Sequence, residues 1–297
     1  MPIIQVIILA IVQGLAELLP VSSSAHVVVA EKLMGLDPSS PQMTLLLVML
    51  HTGTMFAVIA YFWKTWKAAY FSSRDAFQRF AIRVIWATVL TGIVGEAIKK
   101  IIEKALSHGA GKDEIEQLFS HLELIAPALA AAGVLILIAG LLEKRHSSTT
   151  AQKSGRAEGT VTMGQAGWMG IVQGLALPFR GFSRSGSTIS TGMLVGATKE
   201  RAERFSFAMA VVLTPAVVGI EALRLLKAAH VAAAAGTPID LKASLATSLL
   251  GMVFSFGAGL VALKWLSSWL ESGRWYLFGI YCLLASGVVF YLYARGF

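Results

Sequence analysis

Apolar residues run along this chain in blocks too long and too continuous for alternating strands. Six of them, at about 44 to 63, 82 to 98, 121 to 142, 205 to 227, 244 to 264 and 275 to 294, predict spanning helices. Most reach or approach the ~20 residues, each rising 1.5 Å, that a helix needs to cross a hydrocarbon core of roughly 30 Å. Four further apolar segments, 3 to 16, 25 to 34, 164 to 177 and 187 to 197, are short or interrupted. They form two pairs, and each pair brackets a polar loop of small residues: Pro20-Val21-Ser22-Ser23-Ser24 in the first, Arg180-Gly181-Phe182-Ser183-Arg184-Ser185-Gly186 in the second. Apolar segments of about 10 to 14 residues are more often re-entrant or buried than spanning. The pattern therefore predicts an all-α polytopic membrane protein with six transmembrane helices and two re-entrant helical hairpins.

Composition strengthens this reading. Of 297 residues 56% are hydrophobic and 14% are charged, where soluble domains carry about 25% charge, and the mean hydropathy is +0.68. The single Cys282 excludes an intrachain disulfide framework and multi-cysteine metal sites. A net charge of +8 would suggest a nucleic-acid partner in a soluble chain, but here the basic residues flank apolar runs and report topology instead. Residues 64 to 80 carry a net +3 (Lys64, Lys67, Arg74 and Arg79 against Asp75), and residues 143 to 158 a net +2 (Lys144, Arg145, Lys153 and Arg156 against Glu143 and Glu158), so both are expected in the cytoplasm. Stretches 99 to 116 and 228 to 242 are balanced and suit the outer side, and alternation then puts both chain ends outside. The apolar N-terminal segment lacks the basic start and the small-residue cleavage site of a signal peptide and is expected in the mature protein.

Residues 11 to 16 read Ile-Val-Gln-Gly-Leu-Ala, and residues 171 to 176 read the same six again. Each copy ends a short apolar segment just before a polar loop, and each is followed by a second short segment and three spans. Three is odd, so the second copy enters from the opposite side of the membrane. This is an inverted-topology repeat, with halves at 1 to 145 and 160 to 297 and with hairpins expected to face each other near the midplane. Gln13 and Gln173 are then symmetry mates, open either to backbone bonding or to substrate contact.

The loops hold the candidate chemistry. Pro20 ends the first helix, a serine caps the next, and Glu17, Ser22, Ser23, Ser24 and His26 gather around that break. A carboxylate at this depth is costly without a function. The second loop offers Arg180, Ser183, Arg184, Ser185, Ser187 and Thr188, with a helix expected to start near Ser187 and aim its positive end at an anion. Arg184 is the strongest binding candidate, a bidentate donor in need of a counter-anion. Arg180 equally suits the interface, Ser24, Ser185 and Ser187 suit caps, and His51 and His121 suit local hydrogen bonds.

The stretch Gln13-Gly-Leu-Ala-Glu17-Leu-Leu-Pro20-Val-Ser22-Ser23-Ser24-Ala-His26, together with Gly181-Phe-Ser183-Arg184-Ser185-Gly186-Ser187-Thr188, resembles the paired signature of bacterial undecaprenyl-diphosphate phosphatases of the bacitracin-resistance type. The resemblance covers essentially the whole chain. It implies six spanning helices plus re-entrant helices in inverted repeats. It also implies hydrolysis of the C55 polyprenyl diphosphate at the outer face of the plasma membrane, which recycles the carrier for cell-wall peptidoglycan. Carried over, Glu17, Ser23, His26 and Arg184 would be catalytic, and Ser183 and Thr188 would assist phosphate binding; Gln13, Ser22, Arg180 and Ser185 are added as substrate-binding candidates from their places in the two hairpins. A divalent cation, Mg or Ca, is implied by the resemblance alone, with Glu17 its candidate ligand. Two positions depart from the pattern: Gln13 stands where the best-known members carry a glutamate, and Arg180 where they carry a proline. The expected partner is a long-chain isoprenyl diphosphate lipid, no nucleic acid is expected, and a homo-oligomer is left open.

Two rival classes fit the composition: an inverted-repeat transporter or flippase for polyprenyl phosphate or a small anion, and a structural membrane subunit without a site. Anion transport needs no acid-base pair, and a structural subunit leaves the clustered charges unexplained. The enzyme therefore leads, with Ser23, His26 or a water as nucleophile.

Overall fold

The computed structural model describes residues 2–36, 40–106, 122–149, 160–234 and 241–296. Ten helices lie among them: α1 (Ile3–Leu18), α2 (Ser23–Leu33), α3 (Pro41–Tyr70), α4 (Arg74–Leu106), α5 (Leu122–Thr149), α6 (Met163–Ala176), α7 (Arg184–Leu194), α8 (Lys199–Ala234), α9 (Leu241–Glu271) and α10 (Tyr276–Ala294). Six of these, α3, α4, α5, α8, α9 and α10, are long and apolar enough to cross a membrane. They match the six apolar blocks but run beyond them, because helical hydrogen bonding continues through polar ends such as Lys64 to Tyr70 of α3. His121, Lys153, Arg156 and Glu158, used above for topology or as candidate polar residues, lie outside the described residues, as do 107–116 and 235–240 of the two balanced stretches.

The distribution of polarity is that of a lipid-embedded bundle. Large apolar side chains such as Ile85, Ile93, Val253 and Leu284 stand exposed on the spans, while Ser187, Ser190, Ser206 and Ser255 are wholly buried. Lipid tails are as apolar as leucine, so small and hydroxylated residues fill the helix contacts and apolar ones face out.

The short helices are placed crosswise. Helix α1 packs on α9 and α6 packs on α4, so each first hairpin helix leans on a span of the other half of the chain. The two copies of the repeated hexapeptide make these crossings. A Cβ on Gly14 would lie 2.7 Å from the Ser255 carbonyl oxygen of α9, and one on Gly174 would lie 2.8 Å from the Thr91 carbonyl oxygen of α4. Only glycine lets the backbones approach this closely. Helix α7 is enclosed by α5, α6 and α8, whereas α2 packs chiefly on α1.

Candidate active site

Each hairpin breaks at a serine forced into the left-handed backbone region, Ser22 at φ 67° and Ser183 at φ 46°. Non-glycine residues occupy this region at a cost and persist there when surrounding bonds hold them. The Ser22 carbonyl accepts from the amide of His26, and the Ser183 carbonyl accepts from that of Ser187. The Ser183 hydroxyl also accepts from the amide of Gly186. That bond makes Ser183 the cap of α7 and starts the helix at Arg184, about one turn earlier than the expected start near Ser187. Ser23 and Arg184 are thus the first residues of two helices of 11 residues each. Their first-turn amides have no partner within the helix and carry the positive end of its dipole.

The two loops are fastened to each other. The Gly181 amide donates to Ser24 Oγ at 3.3 Å, Ser185 Oγ donates to the Leu19 carbonyl at 3.4 Å, and the Cys282 thiol donates to the Pro20 carbonyl at 3.4 Å. At the centre Arg184 Nη2 donates to Glu17 Oε1 in a largely buried ion pair. Ser23 Oγ donates to Glu17 Oε2 at 2.5 Å, and Gln13 Nε2 donates to the same oxygen at 3.0 Å. Burial by itself would push the Glu17 carboxyl up, but Arg184, His51 and the Ser23 hydroxyl together hold it below the usual carboxylate value. Arg184 keeps a second donor, Nη1, buried and without a hydrogen-bond partner.

A narrow opening of about 10 Å³, room for one water, lies beside this pair between α3 and α8 and must widen to admit a larger ligand. Glu17, Arg184 and His51 supply charged or titratable groups, and Met55, Val58, Phe207 and Val211 supply apolar walls. His51 makes the local bond expected of it, Nδ1 to the Leu47 carbonyl at 2.8 Å. Its Nε2, however, lies 3.7 Å from Glu17 Oε2. His26 does not line this cavity. Its Nδ1 is 2.7 Å from the Ser22 carbonyl, its Nε2 is 2.7 Å from the Tyr281 hydroxyl, and the two rings stack. The carbonyl accepts only from an N–H, so the neutral ring carries its proton on Nδ1 and offers a lone pair at Nε2. Burial lowers the His26 pKa from 6.5, against the Ser22 bond, which raises it.

The remaining sequence candidates divide. Ser22 is buried, with its hydroxyl 3.3 Å from that of Ser24. Ser185 and Thr188 are buried as well: Thr188 Oγ1 donates to the Arg184 carbonyl at 2.7 Å and lies 2.6 Å from Ser206 Oγ, so it stands behind Arg184. Arg180 is exposed on the loop. Nearby, Glu31 is 1% exposed with Oε1 unpaired, and burial, offset by Arg180, pushes its pKa up to about 7. Gln13 and Gln173, equivalent in the repeated hexapeptide, have different partners: Gln173 Nε2 donates to Thr91 Oγ1 of α4 at 3.3 Å. Tyr281 and Glu31 were not singled out in the sequence, and His51 was read there only for its local bond. His51 alone carried a signal, a titratable ring inside an apolar span.

Glu17 is the one carboxylate in this cluster, and both its oxygens already accept from protein donors. Among the described residues no three of His, Cys, Asp and Glu gather where they could hold a metal ion. These residues therefore offer no multi-carboxylate cage of the kind calcium takes.

Residues 6–288 match the model of the family described as bacitracin resistance protein BacA. The chain is 55% identical over 289 residues to "Undecaprenyl-diphosphatase 2" of Acinetobacter baylyi, covering 97% of each chain. It is 34% identical to "Undecaprenyl-diphosphatase" of Desulfatibacillum aliphaticivorans, covering 96% of this chain and 97% of that one. It is 31% identical to "Undecaprenyl-diphosphatase 2" of Burkholderia thailandensis, covering 94% and 92%.

Proposed function

We propose that this chain, which belongs to the bacitracin resistance protein BacA family, is a membrane-integral undecaprenyl-diphosphate phosphatase that releases the terminal phosphate of the polyprenyl carrier. The phosphatase reading is favoured over the transporter by these relatives and by the contents of the site. The observation that carries it is the meeting of Arg184 from one hairpin with Glu17 and Ser23 from the other. It places a phosphate-binding guanidinium next to a hydroxyl whose proton already points at a carboxylate.

In this reading the terminal phosphoryl group binds Arg184, through Nη1 and the amides at the starts of α2 and α7, where charge develops during transfer. Ser23 Oγ attacks phosphorus while Glu17 takes its proton. The bond from phosphorus to the bridging oxygen breaks, and polyprenyl phosphate leaves. Water then attacks the phosphoserine while His26 Nε2, released by Tyr281, takes a proton from it; the bond from phosphorus to Ser23 Oγ breaks, Glu17 returns its proton to that oxygen, and inorganic phosphate departs. Met55, Val58, Phe207 and Val211 suit the first units of the prenyl chain. Gln13 orients Glu17, and any Mg or Ca requirement is assigned to the diphosphate in solution. No step above runs through a metal.

The purified chain should release phosphate from a long-chain isoprenyl diphosphate, and should do so with EDTA present. Absence of release under all cation conditions overturns the reading. Trapping labelled enzyme after a short incubation tests the nucleophile: acid-stable label supports Ser23, and acid-labile label would move the attack to His26.

The same reading makes the two halves inverted repeats with the site open to the periplasm or outer surface. It is supported by the repeated hexapeptide, by the equal lengths of α2 and α7, and by the crosswise packing of α1 and α6. Single cysteines placed at Ser72, between α3 and α4, and at Arg180 should react with an impermeant reagent from opposite sides of the membrane. Reaction from the same side overturns the orientation.

A further inference from the structure

His51 belongs to neither hairpin and to neither copy of the repeat. It nevertheless forms part of the wall of the cavity that holds Glu17 and Arg184. The Leu47 carbonyl, one helical turn earlier, is 2.8 Å from Nδ1 and fixes both the proton on that nitrogen and the orientation of the ring. Nε2 is thereby turned across the cavity toward Glu17 Oε2, 3.7 Å away. That separation is too long for a hydrogen bond, so Nε2 remains available to a ligand. His26 is arranged in the opposite way: a carbonyl and a tyrosine hydroxyl engage its two nitrogens, and its ring is no part of this wall. Arg184 brings a matching group to the cavity, Nη1, buried without a partner.

A phosphoryl group entering here meets a difficulty. Glu17 repels it, and a single guanidinium already paired to that carboxylate offsets the repulsion only in part. We propose that His51 is a substrate-contacting residue, with Nε2 hydrogen-bonded to an oxygen of the terminal phosphate that Arg184 holds from the side of α7. The bond forms with the proton on either atom, since a phosphate O–H donates to the neutral ring and an imidazolium donates to a phosphate oxygen. The inference rests on the phosphatase reading and adds to it a residue from a spanning helix. It divides the work of the two imidazoles: His51 binds the incoming group, and His26 serves the departing one.

The test uses the full chain in detergent, with farnesyl diphosphate as a soluble substrate and methylenediphosphonate as a competitive inhibitor. Losing a charge-assisted hydrogen bond from binding should raise KM and the inhibitor's Ki about tenfold in His51→Ala and His51→Leu, with kcat within about threefold of wild type. His51→Gln, which keeps a polar group at similar reach, should recover most of that affinity. An unchanged Ki in the Ala and Leu variants, or a kcat loss with Ki unmoved, overturns the contact. The Leu variant retains bulk and the Gln variant retains polarity, so a folding defect confined to Ala does not decide the outcome. If wild type turns over farnesyl diphosphate and the His51 variants match it in KM and Ki, this inference fails alone. If wild type releases no phosphate at all, the phosphatase reading fails and takes the contact with it.

Discussion

The two hairpins share a repeated hexapeptide, a strained serine and an 11-residue second helix, yet their second helices live in different surroundings. Helix α7 is buried at every position from Ser185 to Gly192, and neighbouring helices take up its hydroxyls: Thr188 lies against Ser206 of α8, and Ser190 accepts from the indole of Trp275. Helix α2 buries Ala25, Val27, Val28 and Glu31 and leaves Ser23, Ser24 and His26 partly open. One hairpin thus holds a single arginine among buried neighbours and the other leaves a serine and a histidine partly open; in the proposed reaction these are the fixed phosphate donor and the groups that exchange protons. Fixed donors at the phosphate and adjustable acid-base groups beside it are what phosphoryl transfer asks of a protein.

This contrast breaks first, and most strongly, at Arg184. Arg184→Ala should lower kcat/KM for an isoprenyl diphosphate about a thousandfold, some 4 kcal/mol of transition-state stabilisation, while the protein stays in the membrane fraction. Near-normal phosphate release would remove the fixed donor from the comparison. Next comes a residue of α7 with no place in the chemistry. Ser190→Ala leaves the buried Trp275 N–H unpaired and should cost about 1–3 kcal/mol in a thermal or denaturant assay, with turnover per folded molecule unchanged. A loss of turnover without a loss of stability would mean that α7 acts directly.

Two pH measurements sharpen the other side. The His26 pKa is lowered from 6.5, so the ring stays neutral and basic at pH 6.5 and above, and activity should fall only as the pH drops below that value. His26→Asn should abolish this acid limb along with most turnover; a limb that survives belongs to another group. Glu31 gives the smallest effect. Its native pKa of about 7 exceeds the reference value of 4.5, so the native state holds the proton more tightly. Stability is then lost as the pH rises from 4.5 through 7. Glu31→Gln removes that loss and should raise the Tm at pH 8 while leaving it unmoved at pH 4.5. An equal shift at both pH values would show that Glu31 is not held protonated.

Much of the architecture was legible because its causes are local. Continuous apolar runs marked the six spans, Pro20 marked the end of α1, and the doubled Ile-Val-Gln-Gly-Leu-Ala marked two equivalent crossings, where Gly14 and Gly174 indeed meet foreign backbone. Glu17 and Arg184 were legible as charges too costly to bury unpaired, and they pair with each other. Other residues had sufficient local explanations that concealed their second partner. His51 does bond to Leu47, and nothing near it in sequence announces Glu17, 34 positions earlier. Tyr281 looks like one more aromatic in an apolar helix until His26, 255 positions away, comes within hydrogen-bonding distance. The start of α7 moved by a turn because Ser183 could cap it, a matter of backbone geometry that composition does not encode.

Gln13 and Gln173 separate the two kinds of determination. Their sequence neighbours are identical for a full hexapeptide, and that identity was enough to bury both at a helix crossing beside a close-packed glycine. Hydrophobic burial depends on what surrounds a residue along its own helix, so the chain dictates it locally. A hydrogen bond depends on which single atom lies about 3 Å away. Gln13 has Glu17 one turn ahead, whereas position 177 is a leucine and Gln173 turns to Thr91 in another helix. The repeated sequence was enough to bury both glutamines; the packing of distant helices decided which atoms each would meet.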